Sequence, residues 1–167
     1  MKKVLFIALI ILAPISVFGQ KFGQLNSSDI IPLMPEYVQA QTELKTLQKQ
    51  YDDELKYLED EFNKKRDEYV AQSSTLPDNI KARREQELQE SQQKASQFYS
   101  DCQVNLQNKS TELMDAIYAK LNKAIKEVGE EGGFVCIFDA TGGTVPYISS
   151  TLTTDVTVPV KAKLGIQ

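Results

Sequence analysis

Asp139 stands just ahead of a Gly142-Gly143 pair and Ser149-Ser150 follows a few residues on, so a carboxylate and two hydroxyls fall close together in the chain. Acid-base or acyl-transfer chemistry would need a base beside them. The 167-residue chain has no histidine, the commonest acid-base group near neutral pH and the commonest metal ligand, and no lysine signature accompanies the serines. An Asp at a strand end followed by glycines is instead the composition of a turn whose carboxylate bonds backbone N–H groups. Asp52-Asp53-Glu54 and Asp60-Glu61 could attract divalent ions weakly, but they lie on a helical pattern and lack the spacing of a calcium loop. Cys102 and Cys136 would need Cα atoms within about 7 Å to form a bridge. If residues 80–129 are one helix, Cys102 lies about 40 Å from its far end, so both are expected as reduced, packed small hydrophobes. No catalytic, metal-binding or cofactor-binding residue is expected, and the chain does not read as an enzyme.

What remains is the chemistry of surfaces. Residues 64–84 carry Lys64, Lys65, Arg66, Lys81, Arg83 and Arg84 against Asp67, Glu68 and Asp78, a local net charge of +3 in a chain whose overall charge is −4. Such a cluster could steer an acidic segment or touch anionic lipid, with a strength that falls as salt rises; its bland reading is a solvated helix surface. Leu76 has no obvious seam partner and either packs across a chain reversal or offers contact. Tyr57 and Tyr99 either present amphipathic contact surface or pack at the edge of a seam with a wetted hydroxyl.

These side chains must be held by long helices. From Glu36 the chain has neither Gly nor Pro for over thirty-five residues, and Tyr37, Ala40, Leu44, Leu47, Tyr51, Leu55, Leu58, Phe62 and Tyr69 recur at mostly alternating steps of three and four. Ser73-Ser74-Thr75-Leu76-Pro77 stops this helix, and Asp78 or Asn79 is expected to cap the next. The second stripe runs through Ile80, Leu88, Ala95, Phe98, Cys102, Leu106, Leu113, Ile117, Leu121, Ala124 and Val128. Reversal near residue 75 sets Phe62 against Leu88, Leu55 against Ala95, Tyr51 against Phe98 or Tyr99, Leu47 against Cys102 and Leu44 against Leu106. The pattern predicts an antiparallel helical hairpin over 36–112 with its turn at 73–79. Its outer faces are rich in Gln, which favours helix and adds no fixed charge.

Strand signals occur only at the two ends. Phe22 to Leu25 is one; Ser27-Ser28-Asp29 then caps a short turn through Ile30, Ile31 and Leu33, and Pro35 opens the long helix. Phe134 to Phe138 is a second, with a Gly142-Gly143 turn returning Thr144 to Ile148 as a third. Asp155 to Ile166 closes with a short helix for which Thr157 is the expected cap. The fold class is therefore α+β, with residues 20–35 and 113–167 forming a small β body. Three short strands leave edges exposed, so self-association is expected to cover them and to house the lower turns of the second helix. Phe22, Leu25, Phe134, Ile137, Phe138 and Tyr147 are the expected body residues.

Residues 1–19 read as an export signal. Lys2 and Lys3 precede an apolar run from Val4 to Phe18, and cleavage is expected before Gln20. Loss of both lysines leaves 17 basic and 23 acidic residues, net −6.

This order of elements, together with Lys21-Phe22-Gly23-Gln24-Leu25-Asn26-Ser27 leading to Ile30-Ile31 and Met34-Pro35-Glu36, the Phe134-Val135-Cys136-Ile137-Phe138-Asp139 segment, Thr144 to Ile148 and Asp155-Val156-Thr157, resembles the Skp/OmpH family of periplasmic chaperones. The resemblance covers essentially the whole mature chain. It implies a homotrimer with a β-barrel-like body and three helical tentacles around a central cavity. It also implies ATP-independent holding of unfolded outer-membrane proteins in the periplasm of a diderm bacterium; the export signal and the overall acidity separately argue against nucleic acid as a partner. Val158-Pro159-Val160 and the net acidity depart from the family's pattern. The alternative is a structural coiled-coil spacer or tether of the cell envelope, which would bind one folded partner and suppress no aggregation.

Overall fold

A computed structural model of the chain describes residues 19–143 and 145–166; the expected export signal lies, but for Gly19, outside them. In chain order the elements are β1 (Lys21–Leu25), two 3-10 turns (Ser27–Asp29 and Ile31–Leu33), α1 (Pro35–Gln72), α2 (Asp78–Gly132), β2 (Phe134–Asp139), a 3-10 turn (Thr141–Gly143), β3 (Thr153–Asp155) and α3 (Thr157–Leu164).

α1 and α2 fold back on each other as the two stripes require. Midway, the Tyr51 and Phe98 rings meet edge-on at 6.0 Å, which leaves Tyr99 outside the seam. Toward the tip the Tyr69 hydroxyl donates to Glu85. Toward the base Lys109 pairs with Glu43 at 3.0 Å, and Lys120 pairs with Glu36. The Lys120 ammonium holds the Glu36 carboxyl below its ordinary range by hydrogen bonding. At the usual rise α1 is about 57 Å long and α2 about 83 Å, so the lower turns of α2 run past the start of α1.

The reversal is built from hydroxyls. Ser73 Oγ donates to Val70 O at 3.2 Å and Thr75 Oγ1 to Gln72 O at 2.9 Å, which satisfies carbonyls that the end of α1 leaves free. Neither Asp78 nor Asn79 caps α2, contrary to the expectation: the N-cap is Pro77, with no side-chain cap bond. Asp78 already lies inside the first turn, where its carboxylate faces the positive end of the helix.

The sheet corrects the expected hairpin. Its order is β2-β1-β3, and β1 pairs in parallel with both neighbours, Gly23 opposite Ile137 on one side and Thr154 on the other. Parallel strands cannot be joined by a two-residue turn. Residues 145–148 stay outside the sheet, where Pro146 has no N–H to offer a ladder, and Thr144 is outside the described residues. The third strand is Thr153–Asp155 instead.

Alternation along β1 sends Gly23 and Leu25 inward and Phe22 and Gln24 outward. A Cβ on Gly23 would lie 2.9 Å from Ile137 Cγ1 and 3.3 Å from Val156 Cγ1, so glycine is what lets these apolar groups close over the strand. The core gathers Leu25, Ile30, Ile31, Met34 and Ala40 with Ile117, Leu121, Ala124 and Val128 of α2 and Val156, Val160 and Leu164 around α3. Ile117, Leu121, Ala124 and Val128 of the lower turns of α2 are thus buried within their own chain's core. Pro159 falls in the first turn of α3, where its missing N–H costs no helical bond.

Side-chain caps differ from expectation by one or two positions. Asn26 Oδ1, rather than a serine, accepts from Ser28 N at 3.1 Å. Thr157 is the first residue of α3, and its N–H donates to Asp155 Oδ1 at 2.8 Å. In both places a side chain two residues back accepts from an N–H that the helix cannot pair.

Asp139 ties the ends of β1 and β2 together. Its Oδ1 accepts from Ser27 N at 3.1 Å and Thr141 N at 2.9 Å. Burial alone would raise its pKa, but the bonds from Ser27 and Thr141 win and hold it below the ordinary carboxylate value. Asp139→Ala leaves the buried Ser27 N–H without an acceptor, at a cost of about 1–3 kcal/mol. The sign in pH follows from the lowered pKa: the contribution is present above about pH 4 and is lost as pH falls through the folded value. Urea midpoints should fall less steeply from pH 4.5 to 3 in Asp139→Asn than in the parent. Parallel curves would show that the carboxylate is no such tie.

Candidate functional site

Two surfaces are left uncovered on one chain: the arm with its tip, and the outer face of the sheet. At the tip the antiparallel fold brings both basic clusters to the same end, but most of the charge is matched. Arg66 pairs with Asp67 at 3.0 Å, Lys81 with Asp78 at 3.9 Å, and Arg83 and Arg84 both reach Glu87 at 3.3 and 2.9 Å. Lys64 and Lys65 are exposed and make no ion pair among the described residues. Glu85 and Glu87, one and three residues beyond the basic window, lie at the same end of the arm. With them, residues 64–87 carry six basic and five acidic side chains, net +1.

Leu76 is half-buried at the turn and lines a crevice with Tyr69, Arg84 and Leu88. Its apolar surface is thereby shared between the hairpin end and solvent. Tyr57 and Tyr99 are 56% and 54% exposed, which separates both from the seam. The Glu61 carboxylate one turn away, and Glu54 behind it, push the Tyr57 phenol above its usual pKa. These residues are spread along the arm rather than gathered. Val70, Val104 and Tyr118 are exposed as well, and the two-heptad spacing of Val104 and Tyr118 was the signal in the sequence that could have found them.

In the body the six expected residues divide. Leu25 is buried in its own chain's core, with Phe134 and Ile137 packed partly against it. Phe22 and Phe138 stack at 6.2 Å on the outward face, and Tyr147 is 80% exposed. Cys136 stands opposite Phe22 on that outward face and is exposed, against the expectation of a packed thiol. The strand period is the reason, since Phe22 faces outward and its register partner must too. Cys102 is the packed one; burial, with Asp101 and Asp52 nearby, pushes its thiol up. Both cysteines are free. Leu152 and Val158, 81% and 76% exposed, add apolar surface that periodicity did not single out.

Among the described residues no group of three or more His, Cys, Asp or Glu side chains could hold a metal ion. No described helix is long and apolar enough to cross a membrane. Among the described residues the arrangement offers long helical walls with scattered exposed apolar side chains and an open three-stranded sheet.

Comparison with known proteins agrees with this shape. No curated protein matches the chain. Among solved structures, one from Caulobacter crescentus CB15 described as OmpH-like shares the fold, with a TM-score of 0.75 over 87% of this chain and 83% of that one at 16% identity. The family model for outer membrane protein (OmpH-like) matches residues 21–164, from the first residue of β1 to the last of α3. Arm and body are spanned by that match as one unit, and the chain belongs to the outer membrane protein (OmpH-like) family.

Proposed function

We propose that this protein is an ATP-independent holdase of the periplasm, exported by a cleaved signal over residues 1–19, that shields unfolded outer-membrane β-barrel proteins between helical arms. Three copies join through the outer sheet faces, so that the arms enclose a cavity. The observation that carries this reading is the pairing of a long arm with a body whose Phe22 and Phe138 stack on a bare face. Burying that face on assembly would remove apolar surface from water, and strand pairing between copies would cover the free edges of β2 and β3. The arms would then be left to meet a client.

A holding chaperone must bind without trapping. Many weak contacts on one wall raise occupancy together while each is easily released, and Leu76, Tyr57 and Tyr99, well separated on the arm, have that character. No nucleotide is consumed if release follows from the client's own insertion and folding elsewhere. Mass measurement of the mature protein alone, and with a urea-denatured outer-membrane barrel, tests the reading in one experiment. A trimer that takes up the barrel supports it; a single chain, or an assembly that binds one folded envelope protein and leaves the barrel to aggregate, supports a spacer instead.

The ion pairs sharpen the tip's role. Because Arg66, Lys81, Arg83 and Arg84 have acidic partners, Lys64 and Lys65 should carry most of any attraction for acidic segments. Lys64→Gln with Lys65→Gln is expected to slow capture of an acidic client about twofold to fivefold at 20 mM salt and to have no effect at 0.5 M, where exposed charges are screened. Equal capture rates at both salt concentrations would remove the tip from the mechanism. Weak contact of the same lysines with anionic membrane would appear as salt-sensitive binding to vesicles containing acidic lipid.

A further inference from the structure

The middle of α2 differs from its tip in a way the basic cluster does not reveal. Residues 64–87 hold eleven charged side chains, whereas between Leu88 and Gln107 only Glu90, Lys94 and Asp101 are charged. At steps of four and three, Gln89, Gln93, Ser96, Ser100, Gln103 and Gln107 share one face of the helix, and all six are exposed. Gln89, Gln93 and Gln103 make no hydrogen bond among the described residues, while the off-face Gln97 donates to Asp101 at 2.8 Å. Where this face meets α1 a crevice opens with Gln41 and Gln48 on one wall, Gln103 and Gln107 on the other, and Leu44 and Leu106 between them; Lys45 is its one charged neighbour.

We infer that this uncharged amide and hydroxyl face is a binding surface for the backbone of an extended, unfolded polypeptide. The inference rests on the holdase reading and names what the arm recognises. Each Gln offers two donors and an acceptor, the complement of the peptide group. A folded partner has already paired its backbone within its own helices and sheets, but an unfolded segment carries one free N–H and one free C=O per residue. The spacing also fits. Two heptads of helix, the distance from Gln89 to Gln103, advance about 21 Å, close to the roughly 20.4 Å of six extended residues, an even number that brings the same backbone edge back to the face. From Gln89 to Gln107 it runs about 27 Å, room for about eight such residues. A second copy's arm is the poorer occupant, since the apolar stripes of both helices are already spent inside the hairpin and two amide faces would bury little apolar surface against each other.

Neutrality is what makes the surface general. Glu90 and Lys94 beside Gln93 and Ser96 offset each other, so the face has little net pull on charge and its share of binding survives high salt, unlike that of the tip. Capture of a urea-denatured outer-membrane barrel by the mature protein at 0.5 M NaCl tests this with the variant Gln93→Glu, Gln103→Glu, Gln107→Glu. These exposed, shape-preserving changes keep helix propensity but remove the donors, and affinity should fall about fivefold or more with assembly mass and helix content unchanged. Parental capture matched within twofold by the variant overturns the inference and leaves the holdase reading standing; no capture by the parent overturns both. Photo-crosslinkers give a second readout: one at Gln103 should mark the barrel, and one at Asn105, about 200° round the helix, should not. Equal marking from both positions overturns the inference.

Discussion

Leu121→Ala should open the body while leaving the arm closed. Leu121 is 1% exposed and lies in the cluster that joins α2 to the start of the chain and to α3. Its truncation removes buried methyl groups and leaves a cavity that rigid neighbours on several elements cannot collapse, a loss of about 2–5 kcal/mol. The same change at Leu58, 5% exposed in the two-helix seam, should fall at the low end, because a helical pair can shift to close the gap. Amide hydrogen exchange separates the two regions. Amides of β1 should exchange at least about thirtyfold faster in Leu121→Ala, while those around Leu55 to Leu58 keep their protection. Unchanged protection in β1 would mean that the sheet does not depend on this core.

Val160→Asp should detach the last helix. Val160 is fully buried, and with Val156 and Leu164 it forms the face that seats α3 on the core. A carboxylate placed there has no cation to meet; the Lys163–Glu131 pair at 2.6 Å lies at the surface and already satisfies its own charges. An unpaired buried charge costs several kcal/mol, more than an eight-residue helix can recover by staying in place. The damage should reach the sheet, since Val156 N donates to Gln24 O at 2.9 Å and β3 directly precedes α3. Trypsin should then cut at Lys161 and Lys163 in the variant well before it cuts the parent. Lower pH should restore docking, because burial raises the pKa of the introduced carboxyl and its neutral form is tolerated. Equal cleavage of parent and variant would show that α3 is not held by this contact.

The contrast between arm and body explains what could be read from the amino acids. The arm was legible because its contacts repeat. A stripe of Leu47, Tyr51 and Leu55 has few alternatives to a stripe of Ala95, Phe98 and Cys102 once a single reversal is placed at Pro77, and the Tyr51–Phe98 contact follows. The body was legible in its pieces but not in their pairing. Phe134 to Asp139 announces a strand, yet nothing local says that its neighbour is Lys21 to Leu25, and Gly142-Gly143 invited a hairpin that the parallel register excludes. Pro146 was the residue that should have counted against it. At the tip the basic run ends at Arg84, but Glu85 and Glu87 lie at the same end of the arm and lower the local net charge from +3 to +1, Glu87 by pairing with Arg83 and Arg84.

β1, the first strand, occupies the middle of the sheet, and both of its neighbours arrive more than a hundred residues later. A chain made amino end first must therefore hold this strand unpaired until Phe134 to Asp139 have emerged. The helical hairpin between them, built from nearby contacts, can zip up beforehand and bring Pro35 and Gly132 to the same end, so that a long and slow closure becomes a short one. Until that moment the newborn molecule has an exposed strand of its own to protect, the same hazard we propose it shields in others.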